Sequence, residues 1–528
     1  MSQWDCLTER LRLGAISRRA FMARATALGL SAPLAIGATG SLGAPAAETP
    51  KRGGTLRLAL AGGSRTDRIE PASYADSVMI SVGRGLFNGL VELTAEGRLA
   101  PELSSSWEAR NGAVVWVFNL RKGVKFSNGQ EFTADDAIYS LNLHRGESVS
   151  RASAAMKAVN DIKKLDKNQI QITLGAPDAD FPAVLTDPHL LMAPDGFKDW
   201  SRPIGTGAFV LDKFDPGVRI ALKRAGDYWK EGRGHLDAAE ITVIGDWSER
   251  LDALISGQAD IVNRVDHRTV GLFAKTPRLN VIVAPGGWHA VLAMEMDKPP
   301  YDNLDIRLAL KYAVDREQIL KALFGGYGAL GNDHPIPSGD PYFNKDLPQR
   351  KRDPDKAAFH LKKSGLDPTL LLQASDAAFP GAVDVAALVQ SSAGKAGLKI
   401  ELKNEPVDGF WDNVWLKAAF VENCWKGRAA ATQILWDVYR AGAPLNESHW
   451  KNDRFEQLLV DARSETDEGK RKGYIWEMQA ILHEDGSAVI PVFRDWIDAS
   501  RDILGGHTPH GGFEMDNGYI LDKAFFKA

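Results

Sequence analysis

The chain has 528 residues, 44% hydrophobic and 25% charged, with 14 Trp, 21 Phe and 10 Tyr. That excludes low-complexity disorder and allows roughly two to four lobes, each with its own core. With 64 basic against 68 acidic residues, a net charge of −4, it lacks the excess of a duplex nucleic-acid binder, and two cysteines, Cys6 and Cys424, exclude a disulfide framework.

In chain order, the first feature is an export address. Arg10, Arg12, Arg18, Arg19 and Arg24 precede an uncharged Ala/Gly-rich stretch from Ala25 to Ala47, broken by Pro33 and Pro45. A membrane span needs about 20 strongly apolar residues, and this stretch is too weak. With an A-P-A site at Ala44–Ala46, residues 1–46 read as a removable secretory signal. Ser17-Arg18-Arg19-Ala20-Phe21-Met22 resembles the twin-arginine pattern. No cysteine follows the apolar stretch to carry a lipid. Removal of 1–46 leaves 59 basic and 66 acidic residues and one thiol, Cys424. The expectation is a free protein in the periplasm of a Gram-negative bacterium.

The body mixes strands and helices without an internal repeat, which predicts an α/β class with antiparallel segments. Thr55–Leu60 alternates as a half-buried strand, and Ala113–Phe126 alternates again up to a Ser-Asn-Gly turn at 127–129. Thr133 is a good N-cap for a helix with Asp135 and Asp136 in its first turn. A further helix opens at Asp305 and runs on to Phe324. Asp453–Ala462 and Glu468–Leu482 read as amphipathic helices, followed by a buried strand, Ala488–Phe493.

Chemical motifs give little. Gly326-Tyr327-Gly328-Ala329-Leu330-Gly331 matches a dinucleotide fingerprint in letters only. A helix precedes it and a Pro-rich loop follows, so it reads as a helix stop. His507 and His510 are two residues without a further ligand, His483-Glu484 lacks a zincin partner, and no nucleophile elbow or phosphate loop occurs. No enzyme, cofactor or metal site is expected. Five of the 14 tryptophans fall within 411–450: Trp411, Trp415, Trp425, Trp436 and Trp450. Aromatic walls with a few polar groups suit a ligand pocket, so this segment is read as pocket-forming.

Several blocks, in order, resemble the bacterial extracellular solute-binding proteins of the dipeptide, oligopeptide and nickel type, family 5, the receptors of ABC importers. They are Gly53–Leu58, Leu86-Phe87-Asn88-Gly89-Leu90-Val91, Leu99–Leu103 with Ser106-Trp107-Glu108, and Trp116–Phe126 followed by Asn128-Gly129 and Thr133–Asp136. Pro203–Phe209, Pro300–Asn303, Arg307–Leu310 and Ala313–Arg316 complete the set.

The resemblance implies a two-lobed periplasmic binding protein fold, with mixed sheets, a ligand cleft and two hinge crossovers. Lobe I is expected over 54–287 plus 493–528 and lobe II over 288–492. It implies a monomeric receptor that captures a peptide or peptide-like solute by hinge closure and hands it to permease subunits in the inner membrane. The alternatives are a receptor for a non-peptide anionic solute (opine-like acid, sugar phosphate or metal chelate) and an exported hydrolase.

Peptide receptors of the family carry W-x-[GA]-D, whose aspartate grips the α-ammonium. Here the matching stretch is Trp425-Lys426-Gly427-Arg428. An arginine cannot release its proton to accommodate an ammonium, so this position is expected to hold an anionic group. The candidate solute-binding residues are Arg428, Trp425, Trp436, Trp411, Trp288, Tyr74 and Asn446.

Overall fold

The computed structural model describes residues 50–528 apart from residue 274. The expected signal, with Arg18, Arg19 and Cys6, lies outside the described residues. Contacts divide the chain into two units. One comprises the described residues up to Ala176 with Phe181–Ala284 and Trp496–Ala528; the other comprises Pro177–Asp180 and Pro285–Asp495. The boundaries at 284/285 and 495/496 stand beside the expected 287/288 and 492/493. Both fall inside strands, Leu279–Met294 and Val492–Arg501.

The first unit is organised by Thr55–Leu60, whose alternation buries Leu56, Leu58 and Leu60. It pairs in parallel with Ala238–Val243 and with Ile261–Val262. Arg219–Arg224 and Phe209–Asp215 extend the sheet antiparallel. A separate four-stranded antiparallel sheet runs in the order Ser104–Arg110, Val115–Leu120, Gln169–Leu174, Val159–Asp166. Helix Ser77–Leu86 is capped by Asp76, whose carboxylate accepts from Val78 N at 2.9 Å. Its end meets the Pro-Ile-Gly-Thr-Gly block. A Cβ at Gly205 would lie 2.0 Å from the Leu86 carbonyl oxygen, so only glycine permits that approach.

The second unit pairs Phe420–Trp425 antiparallel to the later part of Leu279–Met294, with His289 opposite Trp425 and Val291 opposite Asn423. Thr369–Ala374 and Lys399–Asn404 add a parallel pair on the other side of Phe420–Trp425. Six helices of nine residues or more pack around this sheet, among them Leu304–Ala313, Ala382–Gly394 and Glu468–Asp485. One core runs from Trp288 to Phe493. It is anchored by Asp333, which takes Arg316 at 2.6 Å and Arg350 at 3.0 Å. Burial alone would raise the Asp333 pKa; Arg316, Lys311 and Arg350 instead hold it down at about 2.

Three elements differ from expectation. The strand read over Ala113–Phe126 is Val115–Leu120 only. The chain then turns at Gly123, with φ +76°, and touches a partner again only at the single bridge Lys125–Glu131. Val124 and Phe126 are buried, which preserves the alternation without a ladder. The helix read to Phe324 is two helices, because Asp315 starts a new one by accepting from Gln318 N at 3.0 Å. The strand over Ala488–Phe493 breaks at Pro491, which has no N–H to donate, into Ala488–Val489 and Val492–Arg501. The Gly326–Gly331 run follows a left-handed helix cap at Gly325 and contains a short strand, Gly328–Leu330.

Candidate functional site

Strand Phe420–Trp425 ends with Trp425 opposite His289, and two residues further on Gly427 packs against Gly287. A Cβ on Gly427 would lie 2.8 Å from Gly287 Cα, so the two glycines let the backbones touch. This fixes the exit of the chain and hence the position of Arg428. The Arg428 side chain is about a quarter exposed. Its Nε donates to Asp437 at 3.5 Å and its Nη1 to the Lys426 carbonyl at 3.1 Å. Nη2 takes no part in either contact. Burial raises the Asp437 pKa, and Arg428 opposes that rise.

Asp437 belongs to a π-helical turn, Leu435–Tyr439. Such turns re-aim side chains within a helix and are frequent at functional sites. Trp436, on the same turn, lies within 4.3 Å of both the Arg440 and the Arg463 guanidinium carbons. Its ring is engaged by two cations, each contact worth about 0.5–2 kcal/mol.

Trp411, Trp415 and Trp425 form an edge-to-face ladder with centroid separations of 5.5 and 5.9 Å. Trp411 is 43% exposed, whereas Trp425 retains 9%. At the inner end sits Glu447, a residue that no motif in the sequence singles out. Its carboxylate accepts from Trp415 Nε1 at 2.7 Å, Asn423 Nδ2 at 2.8 Å and Trp425 Nε1 at 3.0 Å. Burial pushes its pKa up to about 7 against the pull of those three donors.

The other expected site residues are placed differently. Trp288 is sunk in the core between Phe324 and Phe379, at 5.8 and 5.2 Å, with the Arg494 guanidinium over its ring. Asn446 is a turn residue. Its amide donates to the Arg440 and Trp450 carbonyls at 3.0 and 2.9 Å, so it is spent on backbone rather than free for a solute. Tyr74 lies in the first unit, 1% exposed, with its hydroxyl donating to the Ile69 carbonyl at 2.7 Å. It too is a packing residue. Of the seven, Arg428, Trp425, Trp436 and Trp411 come together in one region of the second unit.

The histidines of the Gly-rich loop part company: His507 Nε2 lies 3.5 Å from Asp498, and His510 Nε2 meets the Leu93 carbonyl at 3.0 Å. Among the described residues, the group whose ligand atoms lie within 4.8 Å of one another is Glu295, Asp297 and His449. Lys298 already neutralises Glu295 there.

With this geometry in place, comparison with known proteins is decisive. Residues 98–428 match the model of the bacterial extracellular solute-binding proteins, family 5, middle region. The chain belongs to that family. Family 5 members are the substrate-binding proteins of ABC importers, proteins that bind solutes rather than transform them. The chain is 25% identical over 478 residues to a dipeptide-binding protein of Escherichia coli, covering 82% of this chain and 88% of that protein. Among solved structures, HbpA2 from Haemophilus parasuis superposes with a TM-score of 0.81 at 21% identity, over 90% of this chain and all of that one. AgaA from A. tumefacien R10, in complex with agropinic acid, superposes with a TM-score of 0.72 at 22% identity, over 90% and 99%. These likenesses establish the two-lobed α/β fold of periplasmic binding proteins for this family 5 chain.

Proposed function

We propose that this family 5 receptor captures a peptide-like or other small solute carrying an anionic group, by hinge closure, and delivers it to the permease of an ABC importer. The single observation that carries the ligand class is Arg428, standing where the family's ammonium-binding acid is expected and with Nη2 outside its hydrogen bonds to Asp437 and Lys426. A guanidinium presents a planar fork suited to carboxylate or phosphate. The Trp411–Trp415–Trp425 ladder supplies the apolar wall beside it. Export by a twin-arginine signal over 1–46 and a monomeric state complete the reading.

Asp437 favours a second feature of the solute. It lies 3.5 Å from Arg428 with its side chain about one-third exposed. A zwitterion would separate this pair, placing its anion on Arg428 and its cation on Asp437. Isothermal calorimetry with di- and tripeptides, opine-like acids and sugar phosphates tests the proposal. Tight binding of an anionic or zwitterionic member, left chemically intact after incubation and weakened by Arg428→Ala, supports it. Tight binding of cationic or neutral solutes alone, or of any member with an affinity unaffected by Arg428→Ala, overturns it.

A further inference from the structure

Glu447 is a buried carboxylate that, among the described residues, has no ion-pair partner. All three of its side-chain partners are neutral N–H donors, and they come from residues 22, 24 and 32 positions earlier in the chain. Two of the donors are the indoles that form the inner rungs of the tryptophan ladder. An indole offers one N–H, so fixing that atom fixes the plane of the ring. Removing the acceptor leaves the buried Trp425 indole N–H, the half-buried Trp415 indole N–H and the buried Asn423 amide without that partner, a situation folded proteins avoid.

We propose that Glu447 is a positioning residue of the solute site, one carboxylate that sets the orientation of Trp415 and Trp425 and so the shape of the aromatic wall a solute meets. The inference rests on the reading of Trp425 as part of that site.

The same atoms give the device two states. As a carboxylate, Glu447 accepts all three bonds. As an acid, it must place an O–H, and the buried Oδ1 of Asn423 is an acceptor with no hydrogen-bond partner. Protonation therefore changes a buried acceptor into a donor next to both indoles. The titratable groups that sense Glu447 are Cys424 and Tyr439. Burial pushes the Cys424 thiol up to about 11 and the Tyr439 phenol well above its usual range, so both stay neutral while Glu447 titrates. The carboxyl itself changes charge at about pH 7.

The test begins without any ligand. Near-ultraviolet circular dichroism and tryptophan emission of the full protein are followed from pH 5 to 9, for wild type, Glu447→Gln and Glu447→Leu, with far-ultraviolet dichroism as the folding control. A transition near pH 7 in wild type, absent in a folded Glu447→Gln protein, is the expected result. A wild-type signal flat across this range, or a transition that persists in Glu447→Gln, overturns the proposal. Should Glu447→Leu fail to fold, the Gln variant alone decides.

Calorimetry with trialanine and reduced glutathione as probes extends the test to binding. The affinity of whichever probe binds wild type should differ at least about threefold between pH 6 and pH 8, and the difference should vanish in Glu447→Gln. A pH difference that survives in Glu447→Gln counts against Glu447. Binding of neither probe counts against a peptide-like solute, and the spectroscopic transition then decides the role of Glu447 by itself.

Discussion

At the scale of single residues, the motif letters that identify the family largely build scaffold. Asn88 and Gly89 both donate to Glu102, at 3.0 Å each, which joins two sequence blocks through one carboxylate also held by Lys230 at 2.6 Å. Arg307 pairs with Asp485 at 2.9 Å, and Arg316 with Asp333. Arg428 is different, because its charge is only partly spent. Arg428→Ala is expected to weaken binding of an anionic solute by about 10- to 100-fold, the worth of one or two charge-assisted hydrogen bonds, with little change in melting temperature. Arg428→Lys keeps the charge, loses the fork and falls between. Calorimetry beside a thermal melt separates affinity from stability.

Glu447 also makes a stability prediction. Its pKa is raised on folding from 4.5 to about 7, so the folded state favours the protonated form. The associated stability is fully present below pH 4.5, declines between pH 4.5 and 7, and is gone above. The loss amounts to about 3 kcal/mol. Denaturant unfolding at pH 5 and 8 should show this decline in wild type and a flatter profile in Glu447→Gln.

At the scale of elements, strand Phe420–Trp425 shows what the sequence makes legible and what it hides. The tryptophan cluster and the W-K-G-R stretch are visible as letters, and Trp411, Trp415 and Trp425 do form one ladder leading into that stretch, whereas Trp450 is packed in the core against Phe455. The glycine between them is explained only by the backbone of Gly287, 140 residues away in the chain. Glu447 escapes detection because it sits in Asn-Glu-Ser-His, a polar run that reads as an exposed turn. Its burial is created by Trp415, Asn423 and Trp425, and no local pattern records that. Conversely, Tyr74 and Asn446 look like ligand groups until their polar atoms are followed to backbone carbonyls.

The helix beginning at Ala134 is the legible extreme. Thr133 and Asp136 form the capping box expected from their spacing. On the opposite face of Phe420–Trp425 from Asn423, Cys424 donates to the Ala378 carbonyl at 3.2 Å. With its pKa pushed up by burial to about 11, little thiolate exists at pH 8. Iodoacetamide should leave the folded protein unlabelled and modify this thiol only on unfolding, as read by intact mass of the processed protein. Gly427→Ala forces Gly287 and Gly427 apart and should cost both stability and affinity, whereas the exposed Lys426→Ala should cost neither.

At the scale of the whole molecule, the α/β class and the family were legible from ordered blocks spread along the chain. The unit boundaries at 284/285 and 495/496 lie inside continuous strands, where neither composition nor turn residues mark a change, and the expected 287/288 and 492/493 rest on the resemblance alone. The proposed export route has its own test: replacing Arg18 and Arg19 with lysine should trap precursor in the cytoplasm, and normal periplasmic yield from that variant would reject the twin-arginine reading. Native mass spectrometry of the protein purified without unfolding tests most directly whether Arg428 of this receptor holds an anionic group. A small adduct is expected that is released intact, carries a carboxylate or phosphate, and is lost from Arg428→Ala while that variant stays folded. An adduct without an anionic group, or one retained undiminished by folded Arg428→Ala, would contradict that role of Arg428.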